Sequence, residues 1–207
     1  MEIILPDLGV SLDEATHTYG LPTGPLPASV TGIMRFMSRE LYDGIPQYRL
    51  DIAAERGLRV HKQTYWLDTC GYTDVDEDTA PYIEAYRAWK AAYNPVWVAR
   101  EWMGYHKTLR FPGTVDGIGY MTPPDGSGVD IVDLKATSQF HPVMLKTQVS
   151  GYESILKSWG IPVRKRYGLC LLPHHDPPYV FQELPDGYLL FINCLSLHNA
   201  MADEIRP

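Results

Sequence analysis

Two β-prone segments of the chain each carry an aspartate, and a short linker joins them. Asp116 lies in the first segment, and the second contains Asp133 and, two residues later, Lys135. The linker, residues 122–128, is dense in proline, glycine and aspartate, so the two segments are predicted to form a β-hairpin. The midpoint between the two aspartates falls between Pro124 and Asp125, inside this linker. A symmetric turn therefore places their carboxylates opposite each other, roughly 5 Å apart at Cβ. Lys135 shares their face because strand side chains alternate with a period of two.

This arrangement predicts a metal site. Two carboxylates at that separation repel each other, and a divalent cation removes the conflict. Hard oxygen ligands favour magnesium or manganese over zinc. Such an ion polarises a phosphoryl oxygen and lowers the pKa of a bound water, and Lys135 would orient that water or neutralise charge that builds up on phosphorus. The alternative is a surface hairpin in which Asp and Lys form an exposed ion pair, worth about 0–1 kcal/mol.

Three further features support the metal-site hypothesis. A long helical pattern over residues 47–70 carries His61 among basic residues. Gln148 and Tyr152 are four residues apart, so they lie on the same face of a predicted helix. Glu101 lies on a predicted strand that leads into the hairpin.

In this pattern the chain resembles the PD-(D/E)XK nuclease superfamily, most closely its RecB-type and phage-exonuclease branch. That branch shows Gly-x-x-x-His on an early helix, then G-x-(V/I)-D, (D/E)-x-K and Q-x-x-x-Y. The matching segments here, in the same order, are 57–61, 113–116, 133–135 and 148–152. Residues 27–34 also resemble the opening segment of the branch, so the likeness covers most of the chain. Each motif alone is weak, whereas four in order form a specific pattern.

The resemblance implies roles for several side chains. Asp116 and Asp133 would be metal ligands, together with the backbone carbonyl of Leu134, and Lys135 would be the catalytic lysine. His61 resembles the additional metal ligand of the branch. Glu101 would bind metal through water or position the nucleophile, and an ordinary glutamate on the surface of a strand is an equal interpretation.

Other residues are expected to support the site or contact DNA. Gln148 and Tyr152 would contact DNA or brace the site, and Tyr152 could equally pack in the core. The net charge is −7, but basic residues cluster and are candidates for phosphate contacts, with a solvated helix face as the alternative. These basic residues are Arg56, Arg59, Lys62 and Lys146.

The cofactor expected is therefore Mg²⁺ or Mn²⁺. Iron–sulfur members of the branch need four cysteines to hold a cluster. This chain has three, Cys70, Cys170 and Cys194, which are widely spaced, so no iron–sulfur cluster is expected.

Composition and pattern define the fold class. With 207 residues, 45% of them hydrophobic, the chain is predicted to form a single nuclease domain over 1–207, of which 1–28 is a Pro/Gly-rich N-terminal segment. The resemblance and the order of the predicted elements imply the class α/β (α+β), a restriction-endonuclease-like core in which a central mixed β-sheet is flanked by helices. The expected elements are a short hairpin around Ile3 and Thr18, helices near 29–38, 47–70, 79–93, 142–159 and 186–204, and strands near 96–105, 110–121, 128–136, 166–173 and 178–184.

The resemblance implies a metal-dependent deoxyribonuclease that hydrolyses phosphodiester bonds. The branch favours an exonuclease that processes DNA ends in recombination or repair, and a phage-encoded enzyme. DNA is the expected partner, a single-strand annealing protein or a helicase would be a second one, and an oligomer is compatible with the branch. The alternatives are a non-catalytic DNA-binding or assembly subunit, and a metal-dependent hydrolase of another phosphate ester.

The sequence also predicts where the protein works. It contains no apolar stretch of about 20 residues that would cross a membrane and no signal-peptide pattern. Three unpatterned cysteines fit a reducing compartment. A cytoplasmic location is expected, in the host cytoplasm if the protein is phage-encoded.

Overall fold

A computed structural model describes residues 3–137 and 139–205 of the chain. Its secondary structure alternates between helices and strands. In chain order the elements are β1 (Ser11–Asp13), β2 (Thr18–Leu21), β3 (Gly24–Pro25), α1 (Val30–Ile33), α2 (Arg35–Leu41), α3 (Gln47–Cys70), α4 (Ala80–Tyr93), β4 (Val96–Tyr105), β5 (Pro112–Tyr120), β6 (Val129–Ala136), α5 (Pro142–Ser158), β7 (Val163–Leu171), β8 (Tyr179–Glu183) and α6 (Tyr188–Ile205).

A five-stranded mixed sheet forms the centre of the fold, in the order β4-β5-β6-β7-β8. Strands β4, β5 and β6 are antiparallel neighbours, β6 and β7 are parallel, and β8 returns antiparallel to β7. A parallel pair needs a long crossover connection, and α5 supplies it between β6 and β7. The predicted class, a mixed central sheet flanked by helices, is confirmed.

Helices cover both faces of this sheet. Ile131 of β6 packs in the core that includes α5, whereas Val132 and Leu134 pack in the core that includes α4 and part of α3. Because alternate residues of a strand point to opposite faces, Asp133 points to the same side as Ile131. It is fully buried there.

The helix ends follow from local sequence. Gly71 ends α3 with φ of 72°, and Asn94 ends α4 with φ of 44°, both in the left-handed region that these residue types tolerate. Pro142 begins α5 at a position where its missing N–H costs no helical hydrogen bond.

Three predicted elements differ from the structure. The N-terminal hairpin lies at 11–21 and is part of a small three-stranded sheet, and Ile3 lies outside it. The predicted helix at 29–38 is two short helices, because the backbone leaves the helical conformation at Met34, with φ of −87° and ψ of 4°. β7 begins at Val163 rather than near 166, since it pairs with the first residue of β6.

Within the described ranges, none of the helices combines the length and apolar character needed to span a bilayer.

Candidate metal centre

The hairpin register agrees with the prediction from the turn. β5 and β6 pair from Gly119–Asp130 to Gly117–Val132. Continuing that register by one step places Asp116 opposite Asp133. At this step the backbone N–H of Leu134 donates to Oδ2 of Asp116, at 2.7 Å. The regular pairing therefore ends at the two aspartates.

Asp116 belongs to a cluster of three potential metal ligands. One ligand atom from each of His61, Glu101 and Asp116 lies within 4.8 Å of the other two. Nδ1 of His61 is 3.4 Å from Oε1 of Glu101 and 3.7 Å from Oδ1 of Asp116. The three side chains come from α3, β4 and β5 respectively. An imidazole and two carboxylates at these separations can hold a divalent cation.

Glu101 reaches this cluster through an unusual backbone conformation. On β4, Arg100 pairs with Gly117 and Trp102 pairs with Val115, so Glu101 lies opposite Asp116. Its φ is 50°, in the left-handed region that a non-glycine residue adopts at a cost. Such outliers concentrate at functional sites. Glu101, Asp116 and Asp133 thus occupy corresponding positions on three neighbouring strands.

Asp133 is next to this cluster and pairs with Lys135. Nζ of Lys135 is 2.6 Å from Oδ2 of Asp133, and the carboxylate is fully buried. Apart from this ion pair, neither carboxylate oxygen has a hydrogen-bond partner in the described part of the chain. Buried polar atoms without a partner are rare in folded proteins. A divalent cation would satisfy these oxygens, so the residues present fit the expected ion.

The electrostatics of the site indicate a deficit of positive charge. Burial raises the pKa of Asp133 to about 6 despite the opposing effect of Lys135. Burial also raises the pKa of Asp116, which His61 opposes. Burial alone would lower the pKa of His61, but the charges of Asp116 and Glu101 outweigh it and raise that pKa. Raised pKa values at two neighbouring carboxyls and at the histidine beside them both indicate that a cation is favoured here.

Gln148 and Tyr152 lie beneath the site rather than on its surface. Nε2 of Gln148 donates to Oη of Tyr152 at 2.8 Å, and both side chains are buried. Burial is the main cause of a pKa of Tyr152 well above its ordinary value, and the charges of Asp133 and Asp116 add to it. Tyr152 packs in the core, and the roles proposed for the two residues, contact with DNA or bracing of the site, stay predictions.

The four basic residues predicted to contact phosphates differ in whether an acidic side chain pairs with them. Arg56 and Arg59 do not present free charges, because they pair with two acids in the segment before α4. Arg59 lies 3.1 Å from Asp76 and 2.6 Å from Asp78, and Arg56 lies 3.7 Å from Asp78. The helical spacing of the arginines was visible in the sequence, and their partners were not. The other two candidates remain available, Lys62 exposed and Lys146 half-buried.

A cavity of about 220 Å³ opens beside Lys135. It lies between α1, α2 and the first turns of α5. Its lining includes Met34, Ser38, Tyr42, Lys135, His141 and Gln148. The side chain of Lys135 is therefore accessible from this side.

Sequence reasoning missed a buried cluster on the other side of Asp116. Its centre is Arg100, whose Nε donates to the backbone carbonyl of Asp116 at 2.8 Å. Asp68, which pairs with this guanidinium, is 32 positions away in the sequence, so no local pattern pointed to the pair. We call the set Thr64, Asp68, Tyr86 and Arg100 the Arg100 cluster.

Comparisons with known proteins give a likeness to solved structures only. No family model matches the sequence, and a search of curated proteins found no match. The crystal structure of an alkaline exonuclease, LHK-Exo, from Laribacter hongkongensis aligns with 71% of this chain and 78% of its own, at 11% identity and a TM-score of 0.43. The structure of LHK-Exo in complex with dAMP aligns with 86% of this chain and 88% of its own, at 10% identity and a TM-score of 0.46. At these identities and TM-scores, the likeness carries no assignment of function.

Proposed function

We propose that this chain is a metal-dependent nuclease that hydrolyses phosphodiester bonds of DNA. The observation that carries the proposal is the row of Glu101, Asp116 and Asp133 across three neighbouring strands, with Lys135 beside it and His61 facing it. The four sequence motifs that resemble the PD-(D/E)XK superfamily meet at this row. A surface hairpin with an exposed ion pair does not explain a carboxylate that is fully buried at Asp133.

Asp116, Glu101 and His61 would hold Mg²⁺ or Mn²⁺, with Asp133 and the backbone carbonyl of Leu134 as further ligands. When bound, the ion would polarise a phosphoryl oxygen and lower the pKa of a water. His61 must be neutral to act as a ligand, so binding would release a proton from it.

Lys135 acts on the substrate side of the site. Its side chain is about one-third exposed and lines the cavity beside α5. From there it would orient the attacking water or neutralise the charge that develops on phosphorus. In the metal-free protein, burial lowers the pKa of Lys135 but the charges of Asp133 and Asp116 outweigh it and raise that pKa, so the lysine is charged before the ion binds.

We further propose an exonuclease that processes DNA ends in recombination or repair, as the motif resemblance implies. A phage source, a cytoplasmic location, a single domain over 1–207, an oligomer, and a single-strand annealing protein or helicase as partner belong to the same proposal.

The test uses end-labelled linear DNA and closed circular DNA of the same sequence, incubated with Mg²⁺, Mn²⁺ or EDTA. We expect metal-dependent loss of the linear DNA only, and we expect Asp116→Asn to abolish it. Cutting of the circle as well would identify an endonuclease. If small phosphate esters are hydrolysed and DNA is not, the substrate class is wrong. If DNA is retained without cleavage in any divalent metal, the chain is a binding subunit.

A further inference from the structure

We infer that Arg100 is a positioning residue, whose role is to hold the candidate metal ligands in register with one another. The inference rests on the proposed metal site. Three of the candidate ligands come from three separate elements, His61 from α3, Glu101 from β4 and Asp116 from β5. A site assembled this way needs something that fixes the elements relative to one another.

Arg100 contacts all three elements. It precedes Glu101 directly on β4, and its Nε donates to the backbone carbonyl of Asp116 on β5, at 2.8 Å. Its Nη1 pairs with Oδ2 of Asp68 on α3. Its Nη2 donates to Oγ1 of Thr64 on α3 at 3.4 Å.

The contacts on α3 lead back to the histidine. Thr64 donates its own hydroxyl hydrogen to the backbone carbonyl of His61 at 2.9 Å, so the threonine links Arg100 to the turn that presents the imidazole. Tyr86 on α4 completes the cluster, because its hydroxyl donates to Asp68 and accepts from Nη1 of Arg100 at 2.9 Å.

The guanidinium is buried, and each of its three nitrogens has a hydrogen-bond partner. Arg100 has 3% of its side chain exposed and Asp68 has 1%. The guanidinium of Arg100 also lies over the ring of Trp97, with its Cζ 4.8 Å from the ring centroid. A buried ion pair contributes little to stability beyond what apolar residues of the same size would give. The contacts by which Arg100 fixes α3, β4 and β5 relative to one another therefore explain the buried ion pair better than a gain in stability does.

A second buried pair in the same sheet provides a matched control. Arg164 contacts Asp130 through Nε at 2.9 Å and through Nη2 at 2.6 Å, and these side chains are 8% and 0% exposed. The same guanidinium donates to the backbone carbonyls of Thr122 and Pro123 in the linker, at the end of β6 away from Asp133. It contacts none of the candidate ligands.

The experiment measures the dissociation constant for Mn²⁺ by calorimetry without DNA, together with thermal unfolding in EDTA. The variants are Arg100→Gln, Arg100→Lys and Arg164→Gln. We expect Arg100→Gln to raise the dissociation constant by about 10- to 100-fold, the range found for residues that orient metal ligands. Arg164→Gln should destabilise the protein to a similar degree and leave the dissociation constant within about twofold of wild type.

Arg100→Lys separates positioning from charge. A lysine keeps a cation for Asp68 but loses the planar donor that reaches the carbonyl of Asp116. We expect it to recover much of the stability and little of the Mn²⁺ affinity. If Arg100→Gln does not fold, the Mn²⁺ affinity of Arg100→Lys tests the positioning role by itself.

The inference is overturned if Arg100→Lys binds Mn²⁺ as tightly as wild type does. It is also overturned if Arg164→Gln weakens Mn²⁺ binding as much as Arg100→Gln does. A wild type that binds Mn²⁺ but cleaves no DNA would overturn the nuclease proposal and leave this inference to be judged by the dissociation constants. A wild type that binds no Mn²⁺ would overturn both.

Discussion

Nζ of Lys135 lies 2.6 Å from Oδ2 of Asp133, a carboxylate that is fully buried and, apart from this ion pair, has no hydrogen-bond partner among the described residues. Among the described residues, Lys135 is the only cation in direct contact with this carboxylate. In the proposed mechanism a divalent cation takes over this role, because it satisfies the carboxylate oxygens more fully. Metal binding would then free Lys135 to face the substrate, which links loading of the site to its competence for catalysis.

Asp133→Asn should stabilise the metal-free protein at neutral pH. The pKa of this carboxyl is about 6 in the folded protein, above its ordinary value, so the folded state binds the proton more tightly than the unfolded state. The carboxyl group therefore costs stability progressively as pH rises from about 4 to about 6, and the full cost persists above that range. We expect a gain on the order of 2–3 kcal/mol at pH 7.5 and little gain at pH 4.

Urea unfolding in EDTA at the two pH values measures this gain. Asp130→Asn is the matched control, since it leaves the buried Arg164 without its partner and should destabilise the protein at both pH values. A loss of stability in Asp133→Asn at pH 7.5 would show that the ion pair with Lys135 outweighs the cost of burial.

Glu101→Gly should be more stable than Glu101→Gln, and both variants should bind metal more weakly than wild type. The backbone at Glu101 has φ of 50°, which glycine adopts without the steric cost of a Cβ. We expect Glu101→Gly to exceed Glu101→Gln in stability by about 1 kcal/mol, while both variants lose Mn²⁺ affinity. Asn94→Gly, at φ of 44° at the end of α4, should leave Mn²⁺ affinity unchanged. Retained affinity in both Glu101 variants would remove this residue from the site.

Gly57→Ala tests whether substrate passes close to α3. Gly57 lies one helical turn before His61 on the same face, and a Cβ built on it meets no atom within 4 Å. Glycine inside a helix costs about 1 kcal/mol relative to alanine, so the substitution should raise stability by that amount. We expect KM for DNA to rise several-fold with a smaller change in kcat. A stabilised variant with wild-type KM would mean that the open space at Gly57 is not used by DNA.

The parts of the fold that the sequence predicts well are those set by local chemistry. A turn centred between Pro124 and Asp125, inside the linker at 122–128, is enough to place Asp116 opposite Asp133, because turn residues fix hairpin register. Gly71 and Pro142 likewise mark helix ends through their own backbone preferences. These predictions depend on residues that are neighbours in the chain.

The parts that could not be predicted depend on partners distant in sequence. Asp76 and Asp78 neutralise Arg59 from 17 and 19 positions away, and Asp68 pairs with Arg100 across 32 positions. Helical spacing shows that arginines share a face but does not show what covers that face. The positive φ of Glu101 is likewise invisible in a strand pattern, since nothing in its residue type requires it.

The most direct test of the account is the single-turnover rate of DNA cleavage by Lys135→Met at saturating Mn²⁺, with Mn²⁺ affinity measured on the same preparation. Lys157→Met is the control, because Lys157 is also in an ion pair, 2.7 Å from Glu153, but lies exposed on α5. The account predicts that Lys135→Met binds Mn²⁺ within about twofold of wild type and cleaves roughly 10²- to 10³-fold more slowly, the usual effect of removing one group that stabilises developing charge. Lys157→Met should cleave at the wild-type rate. A Lys135→Met protein that cleaves DNA as fast as wild type would contradict the assignment of catalysis to this site.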